Sequence, residues 1–436
     1  MIENEVVSLA LKNAGIETLN EMQQAVFNAG TSKDMLLLSP TGSGKTLAFL
    51  LPLLTTLSRD AKTIQALIVA PSRELALQIE SVFRSLGSGF KVNCCYGGHP
   101  IRTEKKSLEH APAVLIGTPG RILDHLDRGN ISLDSVKTLI LDEFDKILEL
   151  GFTAEMKDIL AHLASVRRRV LTSATSAINI PEFVRIQAPV KLSFLTEEKR
   201  NKSLSIHLVK SPVPDKLDTL YALLGELKGG SALVFCNLRE AVERVGNYLT
   251  EKGVDNDCFH GGMEQLDRER VLSKFRNGST TVLISTDLAS RGLDIPEVKN
   301  VIHYHPPVNE ESFIHRNGRT ARMHAEGDAY LILNEKEFVP EYIIPVPDEF
   351  FLPGQVKTPV PSDWITLTIN KGKRDKLSKK DVVGFLFQKG ELNKEDLGLV
   401  EVRESYSFAA VKRTKLPALL NRIKEEKIKN MKAKFC

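Results

Sequence analysis

Residues 35–57 read MLLLSPTGSGKTLAFLLPLLTTL: a short apolar run, a loop of small residues, and a second apolar run of helical length. Four or five apolar residues without alternation suit a strand buried on both faces. The loop, Ser39 to Thr46, passes straight into the helix. Its glycines Gly42 and Gly44, with Thr41 between strand and helix, let backbone N–H groups converge on an anion, and the helix N-terminus adds its dipole. In that placement Lys45 reaches the outer phosphates of a nucleotide and Thr46 offers a hydroxyl to magnesium. Ser39 stands where the general G-x-x-x-x-G-K-[ST] pattern has its first glycine.

The same rhythm continues outward. ALIVA is followed by RELALQIESVFRSL, VLIG by GRILDHLDRG, TLILD by the segment after Phe144, and RVLTS lies beyond. Apolar strands separated by helices predict parallel strands buried on both faces, the doubly wound α/β class. A charged run, TEEKRNKS at 196–203, interrupts the pattern, which resumes with ALVFC, a helix over Leu238 to Lys252, then DCFH, VLIST, VIHYH and YLIL. Two α/β domains are therefore expected, at 1–196 and 203–340. Prolines 340, 345, 347, 353, 359 and 361 make 341–361 a connector. Residues 362–436 change rhythm to strand, helix, strand, strand, helix, strand (WITLTIN, SKKDVVGFLFQKG, GLVEVRE, YSFAAVKR, LPALLNRIKEE, KNMKAKF), the βαββαβ order of a split α+β domain.

Composition fits such a chain. Hydrophobic residues make up 42% and charged residues 26%, and no apolar run reaches the roughly 18 residues of a membrane helix. The start, MIENEVVSLALKNAG, lacks the pattern of a signal peptide, so a cytoplasmic location without a membrane partner is expected. Cys94, Cys95, Cys236, Cys258 and Cys436 form no CxxC pair and read as reduced packing residues. The net charge of +4 hides an asymmetry: residues 362–436 hold 18 of the 59 Lys and Arg but 10 of the 55 Asp and Glu. A basic domain on an acidic body fits a polyanion-binding attachment, and fits a solvated surface equally well.

LILDEFDKIL, Leu139 to Leu148, decides what the loop is for. By itself DEFD is an acidic turn after a strand. Beside a phosphate loop it supplies what nucleotide hydrolysis lacks: a carboxylate for magnesium, Asp142, and a second, Glu143, to orient the attacking water.

With these two stretches, PSRELA (Pro71–Ala76), TPGR (Thr118–Arg121), SAT (Ser173–Thr175), STDLASRGLDI (Ser285–Ile295) and HRNGRTAR (His315–Arg322), the chain resembles the DEAD-box family of RNA helicases over about residues 1–340. The resemblance implies two RecA-like domains that close on ATP and Mg2+ and bind single-stranded RNA. It gives Gln23, in LNEMQ, the adenine edge, Lys45 and Thr46 the phosphates and magnesium, Asp142 the magnesium, and Glu143 the water. Asp145, Ser173, Thr175 and His315 would couple hydrolysis to closure. Asp294 would meet the ribose, and Arg319 and Arg322 would be arginine fingers that stabilise phosphoryl charge. Arg73, Gly98, Thr118, Arg121 and Thr286 would hold the RNA backbone, which carries no sequence information.

Several positions depart from the family pattern. Phe144 replaces the alanine of the family's name, Leu19 and Glu21 replace prolines, Val6 replaces an aromatic, and Asn317 and Ala321 replace isoleucine and glycine. The tail from about Trp364 resembles the DbpA-type RNA-binding domain, a divergent RNA-recognition-motif (RRM-like) fold that implies large-subunit ribosomal RNA as partner. Tyr406 and Phe408 either stack on bases or pack in the core. His303 and His305 read as strand-end packing residues. The function expected is an ATP-dependent RNA helicase in ribosome assembly. An ATP-gated RNA clamp with little unwinding and a DNA translocase are the alternatives.

Overall fold

The computed structural model describes residues 5–40, 42–98, 100–175, 179–195, 204–227, 229–287, 298–320 and 327–436. Its first seven strands are β1 (Met35–Leu38), β2 (Ala66–Val69), β3 (Val92–Cys95), β4 (Val114–Gly117), β5 (Thr138–Leu141), β6 (Arg168–Ser173) and β7 (Val190–Ser193). They form one parallel sheet in the order β3-β4-β2-β5-β6-β1-β7. Alternate strand residues reach opposite faces. Met35, Leu37, Ile68 and Ile116 pack beneath helices Lys45–Leu54 and Arg73–Ser85, whereas Leu36, Leu38, Leu67 and Leu115 pack with Ile122, Phe144, Met156 and Ile159. Burial on both faces is why MLLL, ALIV, VLIG and TLIL contain no polar alternation except Thr138. The strands absent from the sequence rhythm, β3 (VNCC) and β7 (VKLS), are the two edges, where one side lacks a neighbour and polar residues are tolerated.

A second parallel sheet takes the order β10-β11-β9-β12-β13-β8-β14. It comprises β8 (Leu204–Ser211), β9 (Ala232–Cys236), β10 (Asn256–Phe259), β11 (Val282–Thr286), β12 (Asn300–His303), β13 (Gly327–Asn334) and β14 (Asp348–Glu349). The stretch expected as a connector also supplies an edge strand. β14 comes from the proline-rich stretch and pairs in parallel with His207 and Leu208, and Phe350 N donates to Leu208 O at 2.7 Å. Proline does not prevent this, because an edge strand of two residues needs few N–H donors. The charged run 196–203 lies outside the described residues.

The tail holds a three-stranded antiparallel sheet, β15-β17-β16, from β15 (Trp364–Ile369), β16 (Leu397–Val402) and β17 (Ser407–Lys412), with helices Lys379–Gln388 and Leu416–Ile423. The expected last strand, KNMKAKF, begins in a hairpin of β18 (Lys427–Ile428) with β19 (Met431–Lys432), and its end runs antiparallel beside β15, where Thr368 N donates to Cys436 O at 2.6 Å and Cys436 N to Thr368 O at 3.0 Å. Lys429 and Asn430 take left-handed backbone in that turn, which ends an extended run. One face of the tail sheet, with Leu367, Ile369, Ala409 and Val411, covers the helices. The other meets the second α/β domain: helix Gln265–Arg276 packs on β17, Ser273 Oγ donates to Glu401 Oε2 at 2.8 Å, and Arg413 Nη2 donates to Asp255 Oδ2 at 2.5 Å. Phe408 is 1% exposed, so it is a packing residue and not a stacking platform. By backbone contacts the tail accordingly belongs to the same compact unit as the second sheet (Ser203–Ser290 and Ile295–Cys436), and Met1–Lys202 belongs to another. Among the described residues no helix is long and apolar enough to cross a membrane.

Phe144 is fully buried in the core of the first sheet. Phe144→Ala is expected to lower the stability of the first unit by about 3–5 kcal/mol, read from urea unfolding, while molecules that remain folded keep most of their hydrolytic rate.

Candidate nucleotide and RNA sites

In the order β5-β6-β1 the three strands are hydrogen-bonded neighbours, with Leu141 opposite Leu171 and Ser173 opposite Leu38. Parallel strands end on the same side, so the loop after β1, the Ser173–Thr175 turn after β6 and the Asp142–Asp145 turn after β5 emerge together. Ligands of open α/β sheets bind at such carboxyl edges.

The loop after β1 is braced from within. Gly42 and Gly44 have φ of 79° and 89°, in the left-handed region, and a Cβ at Gly44 would lie 2.5 Å from Gln23 Nε2. Lys45, 8% exposed, donates from Nζ to the carbonyls of Ser39 (2.7 Å) and Pro40 (3.0 Å). Ser39 does what a glycine does not: its hydroxyl donates to Ser43 Oγ at 2.7 Å, tying the ends of the loop. Thr46 is half-buried in the first helical turn. Asn20 and Gln23 form a reciprocal capping box and both reach the loop, Asn20 Nδ2 to Ser43 O at 3.0 Å and Gln23 Nε2 to Gly44 O at 3.3 Å. Gln23, expected at an adenine edge, is thus placed as a brace of the loop, a contact that its motif alone does not reveal. Thr41 lies outside the described residues.

Asp142 is 2% exposed. Burial pushes its pKa up, against the Thr172 hydroxyl bond and the charge of Lys45, which both pull it down. Thr172 Oγ1 donates to Asp142 Oδ1 at 2.5 Å and accepts from Glu143 N at 3.0 Å. Glu143 is held at φ 49° and ψ 53°, left-handed backbone that costs a non-glycine residue about 1–3 kcal/mol. Phe144, next in sequence, anchors that turn in the core. Asp145 Oδ2 accepts from Ser173 Oγ (2.9 Å) and Thr175 Oγ1 (3.3 Å), so the DEFD turn and the SAT turn are one hydrogen-bonded group. Thr172 precedes SAT and was missed, because nothing in the sequence says which hydroxyl faces β5.

The other half of the same edge gathers the expected RNA contacts. β2, β4 and β3 are neighbours, and they lead respectively to Arg73, to Thr118 and Arg121, and to Gly98. Arg73 opens helix Arg73–Ser85 and its guanidinium lies against Gly97. Gly98 has φ 98°. Thr118 caps helix Pro119–Asp127, and its N–H donates to Cys95 O at 3.1 Å.

In the second unit Thr286 ends β11. Its neighbour Asp287 takes a bidentate pair from Arg316, Nε to Oδ1 at 2.6 Å and Nη2 to Oδ2 at 2.7 Å. Arg316, 1% exposed, also donates to His305 O and Asn237 Oδ1. It was not among the expected site residues, although it stands inside HRNGRTAR. His303 Nε2 and Asn317 Oδ1 lie 3.0 Å apart, which accounts for a polar residue at 317. Burial and Arg316 lower His303 to about 3, and burial with Lys216 lowers His305 to about 4, so both are neutral packing residues as expected. His315 and Arg319 are buried. Asp294 and Arg322 lie outside the described residues.

Three family models match the chain: DEAD/DEAH box helicase over residues 20–183, helicase conserved C-terminal domain over 215–324, and DbpA RNA binding domain over 366–435. ATP-dependent RNA helicase DbpA of Escherichia coli is 32% identical over 92% of this chain and 90% of its own length. The protein of the same name in Bacillus subtilis is 29% identical over 98% and 96%. Among solved structures, S. cerevisiae Dbp5 bound to RNA and ADP BeF3 is similar with a TM-score of 0.67 and 26% identity, over 76% of this chain and 88% of that one. Mss116p bound to ssRNA and AMP-PNP shares the fold, with a TM-score of 0.70 and 24% identity over 80% and 78%. The chain belongs to the DEAD-box ATP-dependent RNA helicases and ends in a DbpA-type RNA-binding domain.

Proposed function

We propose that residues 1–196 hold and hydrolyse the nucleotide, that 203–340 complete the motor, and that 362–436 direct it to large-subunit ribosomal RNA during ribosome assembly. One observation carries the assignment of the hydrolytic site: three adjacent strand ends bring the phosphate loop, the DEFD carboxylates and the SAT hydroxyls to a single edge. The oxygen donors Thr46 and Asp142 suit a hard cation, and the left-handed glycines with the N-terminus of helix Lys45–Leu54 suit phosphate oxygens. Magnesium held there would neutralise phosphate charge. Lys45 binds the outer phosphates, and Glu143 orients a water and draws its proton toward its own carboxylate. Arg319 and Arg322 are assigned to the charge of the phosphoryl group in transfer, and Asp145, Ser173, Thr175 and His315 to its coupling with RNA.

Lys45→Ala and Glu143→Gln are each expected to lower RNA-stimulated ATP hydrolysis by at least about a hundredfold, with Glu143→Gln still binding nucleotide in an equilibrium titration. Near-normal turnover by either variant would remove the assigned site. Wild-type ATPase without separation of short RNA duplexes would favour an ATP-gated clamp.

For the tail the supporting observation is an exposed basic rim. Lys373, Arg374, Lys376, Lys429 and Lys434 are exposed on loops that are tied together, Lys373 N to Arg403 O at 2.8 Å, Lys429 Nζ to Lys376 O at 2.8 Å and Lys434 N to Asn370 Oδ1 at 2.7 Å. Phosphate contacts there give affinity, and base contacts in RNA loops give choice. Reversing Lys373, Arg374 and Lys376 to Glu should reduce the salt slope of RNA binding by about 2 and abolish preferential activation by ribosomal RNA fragments, while generic RNA at high concentration still stimulates hydrolysis. Equal affinity of the unaltered protein for ribosomal fragments and unrelated hairpins at physiological salt would withdraw the ribosomal assignment.

A further inference from the structure

Glu104 belongs to none of the motifs used above, yet its carboxylate joins two segments that carry them, the turn at Gly97-Gly98 and the helix of Arg121. It projects from helix Ile101–Leu108 and is 5% exposed. Oε1 accepts the N–H of Tyr96 at 3.0 Å, just before the Gly97-Gly98 turn. Oε2 lies 2.6 Å from His125 Nε2 and 3.4 Å from Arg121 Nη1, both on helix Pro119–Asp127. His125 is fully buried and is held from its other side, Nδ1 lying 3.2 Å from Asn130 Nδ2. The helix bearing Glu104 is itself tied to β3, through Asn93 Nδ2 to Ser107 Oγ at 2.6 Å.

A carboxylate buried in a surface meant for phosphates is doubly unfavourable, by desolvation and by repulsion, unless cations and N–H donors compensate it. Here the compensation comes from the elements that carry the RNA contacts. Cys95 Sγ lies within 4.8 Å of the ligand atoms of Glu104 and His125. Burial keeps that thiol protonated, and Arg121 already supplies the positive charge, so the group is a hydrogen-bonded pin and not a cation site.

We propose that Glu104 is a positioning residue for RNA, fixing the Gly98 turn and the Arg121 guanidinium in the relative placement that the RNA backbone needs. This rests on the reading that Gly98, Thr118 and Arg121 contact RNA. A guanidinium already ordered by a buried acceptor loses less side-chain freedom when it meets a phosphate, so the gain appears as RNA affinity and not as chemistry.

The test measures ATPase of the full-length protein against the concentration of a single-stranded RNA oligonucleotide, with nucleotide binding and melting temperature alongside. Glu104→Gln keeps the shape and removes the charge. It should raise the RNA half-saturation roughly tenfold, leave turnover at saturating RNA within about twofold, and leave nucleotide binding unchanged. In an Arg121→Ala background the same change should add little, because the group it orders is gone. Arg121→Lys, which leaves Glu104 in place, should weaken RNA as much as Arg121→Ala if orientation matters. Multiplicative effects in the double variant, a lysine that restores affinity, or an unchanged half-saturation in Glu104→Gln would each overturn the proposal. Normal RNA dependence in Arg121→Ala would instead overturn the RNA-site reading beneath it.

Discussion

One hydroxyl sits where the site is assembled. Thr172 donates to Asp142 and accepts from the N–H of Glu143, so a single side chain on β6 fixes both the buried carboxylate of Asp142 and the left-handed turn at Glu143. Left-handed backbone at a glutamate persists only where its surroundings over-determine it. Here the determinants are that hydroxyl bond on one side and the buried ring of Phe144 on the other. The phenylalanine in DEFD is thereby a structural choice: the larger residue fills the space beneath the turn, and the charged groups around it keep their places.

The same economy of contacts recurs in the second unit. Arg316 satisfies its fork with Asp287, His305 O and Asn237, and lies over the ring of Phe235 at 5.0 Å. A fully buried cation is tolerated because each of its three nitrogens finds an acceptor, two of them on the carboxylate of Asp287. It links three strand ends, after β9, β11 and β12, to the helix Glu310–Asn317 that leads into Arg319. Helicase motifs in this half are therefore held by one arginine that is not itself one of the expected fingers.

In the tail, docking decides which surface remains for RNA. The sheet face with Trp364, Thr366 and Phe408 packs toward the second domain, where Glu401 is shared by Ser273, Arg276 and Arg403. Those arginines hold the carboxyl of Glu401 below its usual range despite burial. With that face covered, the basic side chains of Lys373, Arg374 and Lys376 remain exposed on the tail.

Strand positions, the phosphate loop and the DEFD carboxylates were legible because each is local: apolar runs of four, glycines before GKT, and acids directly after a strand depend only on neighbours in sequence. The edge strands β3, β7 and β14 were not, since an edge tolerates polar residues and prolines that erase the signal. Nor were the pairings across strands. That Thr172 faces Asp142, Gln23 braces Gly44, Glu104 gathers Tyr96, Arg121 and His125, and Phe408 is buried by another domain all follow from strand order and packing, where residues on separate elements become neighbours. The sequence by itself thus determined the chemistry that the chain carries. Only the tertiary structure decided which side chains hold that chemistry in place, because hydrogen-bond geometry and burial are properties of the assembled sheet and not of any one stretch.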